Sequence, residues 1–110
     1  MSMGGEQALA IGFGHPELVS SIGALSPSMP REPAERWAPA LADPKATNAK
    51  WKVLWIACGR QDPGHLSASR KQHETLEQAG IKHTYVETEG AHNYALWQRQ
   101  MVQLAPLLFR

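Results

Sequence analysis

Ser2, Asp62 and His92 are residues of the three types that cooperate in acyl-transfer chemistry, and each stands among turn-forming neighbours. The chain opens Met1-Ser2-Met3-Gly4-Gly5, the form of the right-hand side of a Gly-x-Ser-x-Gly nucleophile elbow, with Gly4 at the required offset. In such an elbow small neighbours let the backbone take strained angles, so that the serine hydroxyl stands clear of a sharp strand-to-helix turn. A serine hydroxyl is a weak nucleophile by itself. It needs a histidine to take its proton and return it to the leaving group, and a carboxylate to fix the imidazole tautomer and stabilise its cation. Asp62 and His92 supply those groups, although Asp62-Pro63-Gly64 taken alone is also an ordinary turn and His92 an ordinary loop histidine.

Convergence of three residues so far apart depends on the elements between them. From Met3 to about Gly14, Ala8, Leu9, Ile11 and Phe13 supply apolar helix faces, and Gly14 with Pro16 ends the helix. A helix starting directly after Ser2 turns its unpaired N–H groups and partial positive charge toward that residue, making the Met3 N–H an expected oxyanion donor. Leu18 to Ser26, small and apolar, reads as a buried strand, Lys52 to Gly59 as the strongest strand, and Ile81 to Thr88 as a shorter alternating one. Leu66 to Ala79 reads as a helix capped by Ser67 or Ser69 and stopped by Gly80. Asn93 is placed to cap a last helix with an apolar stripe of Tyr94, Trp97, Met101, Leu104, Ala105 and Leu108, its final turn disturbed by Pro106. Residues 27–50, with Pro27, Pro30, Pro33, Pro39 and Pro44, read as a long loop holding one short helix near Ala34 to Leu41. Trp37 in that loop is a candidate contact for an aromatic or sugar group of a substrate.

The resulting order is helix, strand, long loop, strand, helix, strand, helix. It predicts an α/β fold with about three parallel strands, flanking helices and right-handed crossovers. In a parallel sheet the loops after the strands share one edge, which is where Asp62, His92 and Ser2 can meet. Three strands alone leave an apolar edge on the first, so the chain reads as part of a larger domain with a tendency to self-associate through that edge.

Composition bounds the partners. The 110 residues carry 11 basic and 10 acidic side chains, net +1 and scattered, which points to neither a nucleic-acid nor a membrane surface. The lone Cys58 lies in an apolar run and reads as a buried, inert thiol. His15, His65, His73 and His83 show no ligand-type spacing with cysteine or carboxylates, so neither metal nor cofactor is expected.

The chain order Ser, Asp, His is that of α/β-hydrolases. The opening Met1 to Leu9, the strand ending Gly59-Arg60-Gln61-Asp62, and above all Gly90-Ala91-His92-Asn93-Tyr94-Ala95-Leu96-Trp97-Gln98-Arg99 running to Pro106-Leu107-Leu108-Phe109 resemble the putative-esterase family. That family includes feruloyl and acetylxylan esterases and enterochelin-esterase-like hydrolases. The resemblance spans nearly the whole chain but matches only the C-terminal half of the family's domain. It implies Ser2 as nucleophile, Asp62 as the acid and His92 as general base in a cofactor-free esterase acting on carbohydrate-linked feruloyl or acetyl esters. Met1 then stands where the family has the residue before the nucleophile. The family's first elbow glycine, preceding strands and second oxyanion donor have no counterpart in these residues, which implies weak or no turnover by the 110 residues alone. Where related sequences often show two adjacent acidic residues, this chain reads Arg60-Gln61-Asp62-Pro63, leaving Asp62 as the acid.

Overall fold

The longest apolar run forms the middle of a parallel sheet. In the computed structural model, which describes residues 1–28 and 33–109, β1 (Ser21–Leu25), β2 (Val53–Gly59) and β3 (Thr84–Thr88) lie in the order β1-β2-β3. The register pairs Ser21 with Val53 and Leu25 with Ala57 on one side, and Trp55 with Thr84 and Gly59 with Thr88 on the other. β2 is buried from Leu54 to Gly59, as a central parallel strand covered on both faces must be. Its side chains alternate between two cores. Leu54 and Ile56 join Leu9, Phe13, Ile22 and Leu76 on one face, while Trp55 and Ala57 join Leu25, Leu96, Trp97 and Leu104 on the other.

Helices α1 (Met3–Gly14), α2 (Pro33–Leu41) and α4 (Pro63–Ala79) supply the first core, and α5 (Tyr94–Leu108) the second. Between α2 and β2 lies α3 (Pro44–Lys50). Most of the expected long loop is therefore helical. Pro33 and Pro44 begin helices rather than break them, because a first-turn residue has no intrahelical N–H bond to lose, and Asp43 caps α3 by accepting from the Ala46 N–H at 3.1 Å. Of the prolines in that stretch, Pro30 falls outside the described residues.

Trp37 is carried by a helix and not presented from a loop. It is 1 % exposed and stacks on Phe13 with ring centroids 4.6 Å apart, because the amphipathic α2 lays Trp37 and Ala40 against α1. Three further boundaries differ from expectation. β1 and β3 begin at Ser21 and Thr84, and α4 begins at Pro63, with Asp62 rather than a serine at its N-cap. On α5 the buried residues are Leu96, Trp97, Gln100 and Leu104, leaving Tyr94 and Met101 exposed. Gln100 fits this inward face because its amide donates to Thr88 Oγ1 on β3 at 3.1 Å.

α4 is also fastened to β3 by charge. Arg70 donates to both Glu87 carboxylate oxygens, at 2.7 and 3.0 Å, and this guanidinium holds the Glu87 pKa down at about 2. The helix that starts at Asp62 and the strand that leads to His92 are thereby held in fixed relation.

Candidate active site

Each of the three sequence-identified side chains sits where a helix starts. Ser2 precedes α1, and its N–H donates to Leu25 O at 2.8 Å, which sets the turn beside the C-terminal end of β1. Its backbone is at φ 52°, ψ −125°, a region a side-chain-bearing residue enters only at a cost of about 1–3 kcal/mol. The surrounding packing enforces that shape. A Cβ on Gly5 would lie 3.3 Å from Leu25 O, a tight contact, so glycine there eases the close approach of the first turn of α1 to β1.

The loops carrying Asp62 and His92 are joined to each other before they reach Ser2. Arg60 and Gln61 N–H groups donate to Thr88 O and Gly90 O at 2.9 and 3.0 Å, and Gly90 N–H donates back to the Gln61 side chain. Arg60 and Gln61 side chains both bind the Glu89 carboxylate, and Arg99 reaches from α5 to Glu89 O at 3.0 Å. The approach is close enough that a Cβ on Gly59 would stand 2.2 Å from Gly90 O and 2.7 Å from Leu96 Cδ2.

This scaffold brings the three side chains into line. Ser2 Oγ is 2.9 Å from His92 Nε2, and His92 Nδ1 is 2.6 Å from Asp62 Oδ2. A carboxylate only accepts, so His92 Nδ1–H donates to Asp62, and Nε2 is left as the acceptor for the serine hydroxyl. The His92 ring rests edge-on against Trp97 at 4.8 Å, and the Trp97 N–H is held by buried Ser26 Oγ at 2.9 Å.

A comparison within the molecule singles out two of these residues. Asp43 and Asn93 occupy N-cap positions and cap their helices with their side chains. Ser2 and Asp62 occupy the same kind of position, yet neither side chain caps. Capping by such residues is typically worth about 1 kcal/mol. Both forgo it and face His92 instead.

Asp62, 7 % exposed, has a second imidazole partner that the spacing of histidines did not suggest. His65 Nδ1 donates to Oδ1 at 2.8 Å, and its ring stacks on His92 with centroids 4.0 Å apart. The available signal was positional: with Asp62 as N-cap, residue 65 lies in the first helical turn directly over it. Burial pushes the Asp62 pKa up, but the hydrogen bonds from His65 and His92 outweigh it and hold the carboxyl below its ordinary value. Met3, at the first position of α1, has no residue four places earlier in the helix to accept its N–H.

Next to the array is an apolar cleft of about 140 Å³ lined by Met1, Tyr94, Trp97, Gln98 and Met101. Another cleft, about 500 Å³, is lined by Ser21, Val53 and Thr84 at the opposite ends of the strands and touches none of the three aligned side chains.

Against known proteins, the family model described as "Putative esterase" matches residues 1–108. The chain belongs to this esterase family. Solved structures similar to this chain include a ferulic acid esterase, at 19% identity and TM-score 0.76 over 97% of the chain. S-formylglutathione hydrolase FrmB of Staphylococcus aureus matches at 17% identity and TM-score 0.82 over 99% of the chain. FphF, a fluorophosphonate-binding serine hydrolase of the same organism, matches at 17% identity and TM-score 0.80 over 99%. The chain spans about half the length of each, 47%, 49% and 52% respectively. At these identities the likeness establishes the α/β-hydrolase fold, in agreement with the parallel sheet and its flanking helices.

In this chain the His65 contact is expected to matter in acid. A carboxyl whose folded pKa lies below its unfolded value stabilises the fold above the unfolded value, and that contribution is lost as pH falls through the folded one. His65→Ala removes one of the two hydrogen bonds opposing burial, so the Asp62 pKa rises and the acid-unfolding midpoint moves to higher pH. Tryptophan fluorescence across an acid titration reads the shift. An unchanged midpoint would show that the His65 contact contributes nothing to the fold.

Proposed function

We propose that this chain supplies the catalytic triad of a serine carboxylic-ester hydrolase working through an acyl-enzyme, with Ser2 as nucleophile, His92 as general base and Asp62 as the acid that orients it. The observation that carries this reading is the unbroken line Ser2 Oγ, His92, Asp62, with contacts of 2.9 and 2.6 Å. Ser2 Oγ attacks the ester carbonyl carbon as its proton passes to His92 Nε2. Asp62 stabilises the imidazolium so formed, and the Met3 N–H at the head of α1 donates to the oxyanion. Collapse of the tetrahedral intermediate breaks the bond to the alcohol oxygen, which takes the proton from His92. Water then attacks the acyl-Ser2 carbonyl, giving its proton to His92, and the carboxylic acid leaves as Ser2 recovers its hydrogen.

The substrate class we propose is a feruloyl or acetyl ester carried on a carbohydrate. It is supported by the family resemblance of the histidine loop and by the likeness to a ferulic acid esterase. Thioester hydrolysis and acyl transfer use the same array with a different acceptor, and one neighbour is itself an S-formylglutathione hydrolase. The test is a panel of methyl ferulate, an acetylated xylan and S-formylglutathione, with products quantified by chromatography. Turnover of the two oxygen esters above the thioester supports the proposal; preference for S-formylglutathione overturns the substrate class while leaving the nucleophile assignment to the labelling experiment argued below.

A second reading, association through the sheet edge, is favoured by one observation: among the described residues β1 pairs with a strand on its β2 side only. A second copy, or another strand, can complete it. Sedimentation equilibrium is expected to show concentration-dependent association. A strictly monomeric, folded species would remove this reading.

A further inference from the structure

A second cluster of titratable side chains lies at the other end of α4 and has no part in the hydrolytic array. His73 and Glu77 are one turn apart on α4 and so share a face. After Gly80 ends that helix, the chain turns back and presents His83 just before β3. The side chain of His83 is 1 % exposed, and its Nδ1–H donates to Ile81 O at 2.8 Å. That bond fixes the tautomer and leaves the lone pair on Nε2. Nε2 lies 2.7 Å from His73 Nδ1 and 3.8 Å from Glu77 Oε1, and all three candidate ligand atoms fall within 4.8 Å of one another. The His73 ring is held from its other side by stacking on Tyr85, centroids 4.6 Å apart.

These features are those of a prepared ligand set. A metal-binding histidine characteristically donates its other ring N–H to a backbone carbonyl, which orients the ring and raises the basicity of the ligating nitrogen. His83 has this arrangement while its own side chain is closed to solvent. Two imidazoles and one carboxylate form the His₂Glu donor set suited to a borderline divalent ion, with a fourth position left for water. Tetrahedral bonds of about 2.0–2.1 Å place ligand atoms about 3.4 Å apart. The present contacts of 2.7 and 3.8 Å lie on either side of that spacing, within reach of small side-chain rotations.

We infer that His73, Glu77 and His83 form a binding site for a zinc-class divalent metal ion, linking the C-terminal part of α4 to the entry of β3. The spacing His-x₃-Glu-x₅-His matches none of the usual short zinc motifs, which is why the sequence pointed to no metal. The helix stop at Gly80 and the reversal after it make the set. His73 Nδ1–H donates to His83 Nε2; for Nδ1 to ligate an ion, His73 shifts its ring proton to Nε2, which frees the Nδ1 lone pair. The Asp62, His65 and His92 group is a separate possible ligand set and must be distinguished from this one.

Isothermal titration of the 110-residue chain with zinc chloride, and a parallel cobalt(II) titration read by its visible absorption, test the assignment. One equivalent is expected to bind, with the intense visible bands of four-coordinate cobalt. Loss of an outer-shell partner typically weakens a metal site about 10- to 100-fold, so His83→Ala, which removes a ligand, should weaken binding at least about tenfold. Glu77→Gln, at an exposed position that does not threaten folding, should weaken it in the same direction. His15→Ala and His65→Ala should leave it unchanged. Zinc should also raise the melting temperature of the parent chain more than that of Glu77→Gln. Absence of saturable binding, retention of full affinity in Glu77→Gln and His83→Ala, or loss of affinity in His65→Ala would each overturn the inference.

Discussion

Ser2→Ala is expected to reduce ester hydrolysis about 10⁴- to 10⁶-fold and to abolish covalent labelling by a fluorophosphonate probe. The substitution removes one oxygen, the atom 2.9 Å from His92 Nε2, and no other part of the array. The Ser2 side chain makes no capping bond, so α1 loses no cap, and the backbone bond from Ser2 N–H to Leu25 O is retained. The folded state should therefore keep its circular dichroism and melting temperature to within the effect of forcing alanine into φ 52°. Intact-mass spectrometry after probe treatment should show one adduct on the parent chain, mapped to Ser2 by peptide analysis, and none on the variant. Labelling that survives the substitution would assign the nucleophile elsewhere and end the triad reading. This readout counts adducts rather than turnover, so it remains decisive however slowly the acyl-enzyme is hydrolysed.

Gly59→Ala should lower kcat/KM by about 100-fold or more without touching any reacting group. The added methyl would stand 2.2 Å from the carbonyl oxygen of Gly90 and 2.7 Å from Leu96 Cδ2. The nearer obstacle is backbone, held in place by the Gln61 N–H and by the loop bonds around Glu89. It cannot swing aside, so the two loops must part, and Asp62 and His92 part with them. A displacement near 1 Å at a reacting centre is enough for a loss of this size, and the overpacking should cost about 1–3 kcal/mol of stability as well. Gly23→Ala separates the two effects. Its Cβ would meet Leu104 Cδ2 at 2.3 Å, the tip of a flexible side chain, so this variant should lose stability yet keep its activity per folded molecule. Comparable activity losses in both variants, measured with chromogenic esters at temperatures where both are folded, would show that loop spacing is not what aligns the array.

The acid behaviour of His65→Ala and the zinc affinity of Glu77→Gln probe opposite ends of α4. The first concerns a contact to the carboxylate bonded to His92, and the second a ligand set outside the proposed hydrolytic array. Effects on one should therefore leave the other unchanged.

By itself the sequence determined the three strands and four of the five helices among the described residues, the parallel topology, and the chain order in which Ser2, Asp62 and His92 follow one another. These depend on local and periodic properties: the unbroken apolar run of β2, the glycine in left-handed conformation that ends α4, and side-chain types at turns between elements. It missed α3, because a proline such as Pro44 signals a break inside a helix but fits its first position, where no intrahelical N–H bond is lost. Nor did it show the burial of Trp37, which depends on α2 folding back on Phe13, a contact between residues 24 positions apart that no local pattern encodes. Only the tertiary structure placed His65 on the second oxygen of Asp62, and His83 against His73. Both contacts arise where the chain enters or leaves α4, and imidazole pairing there depends on the direction of the turn rather than on the count of residues between them.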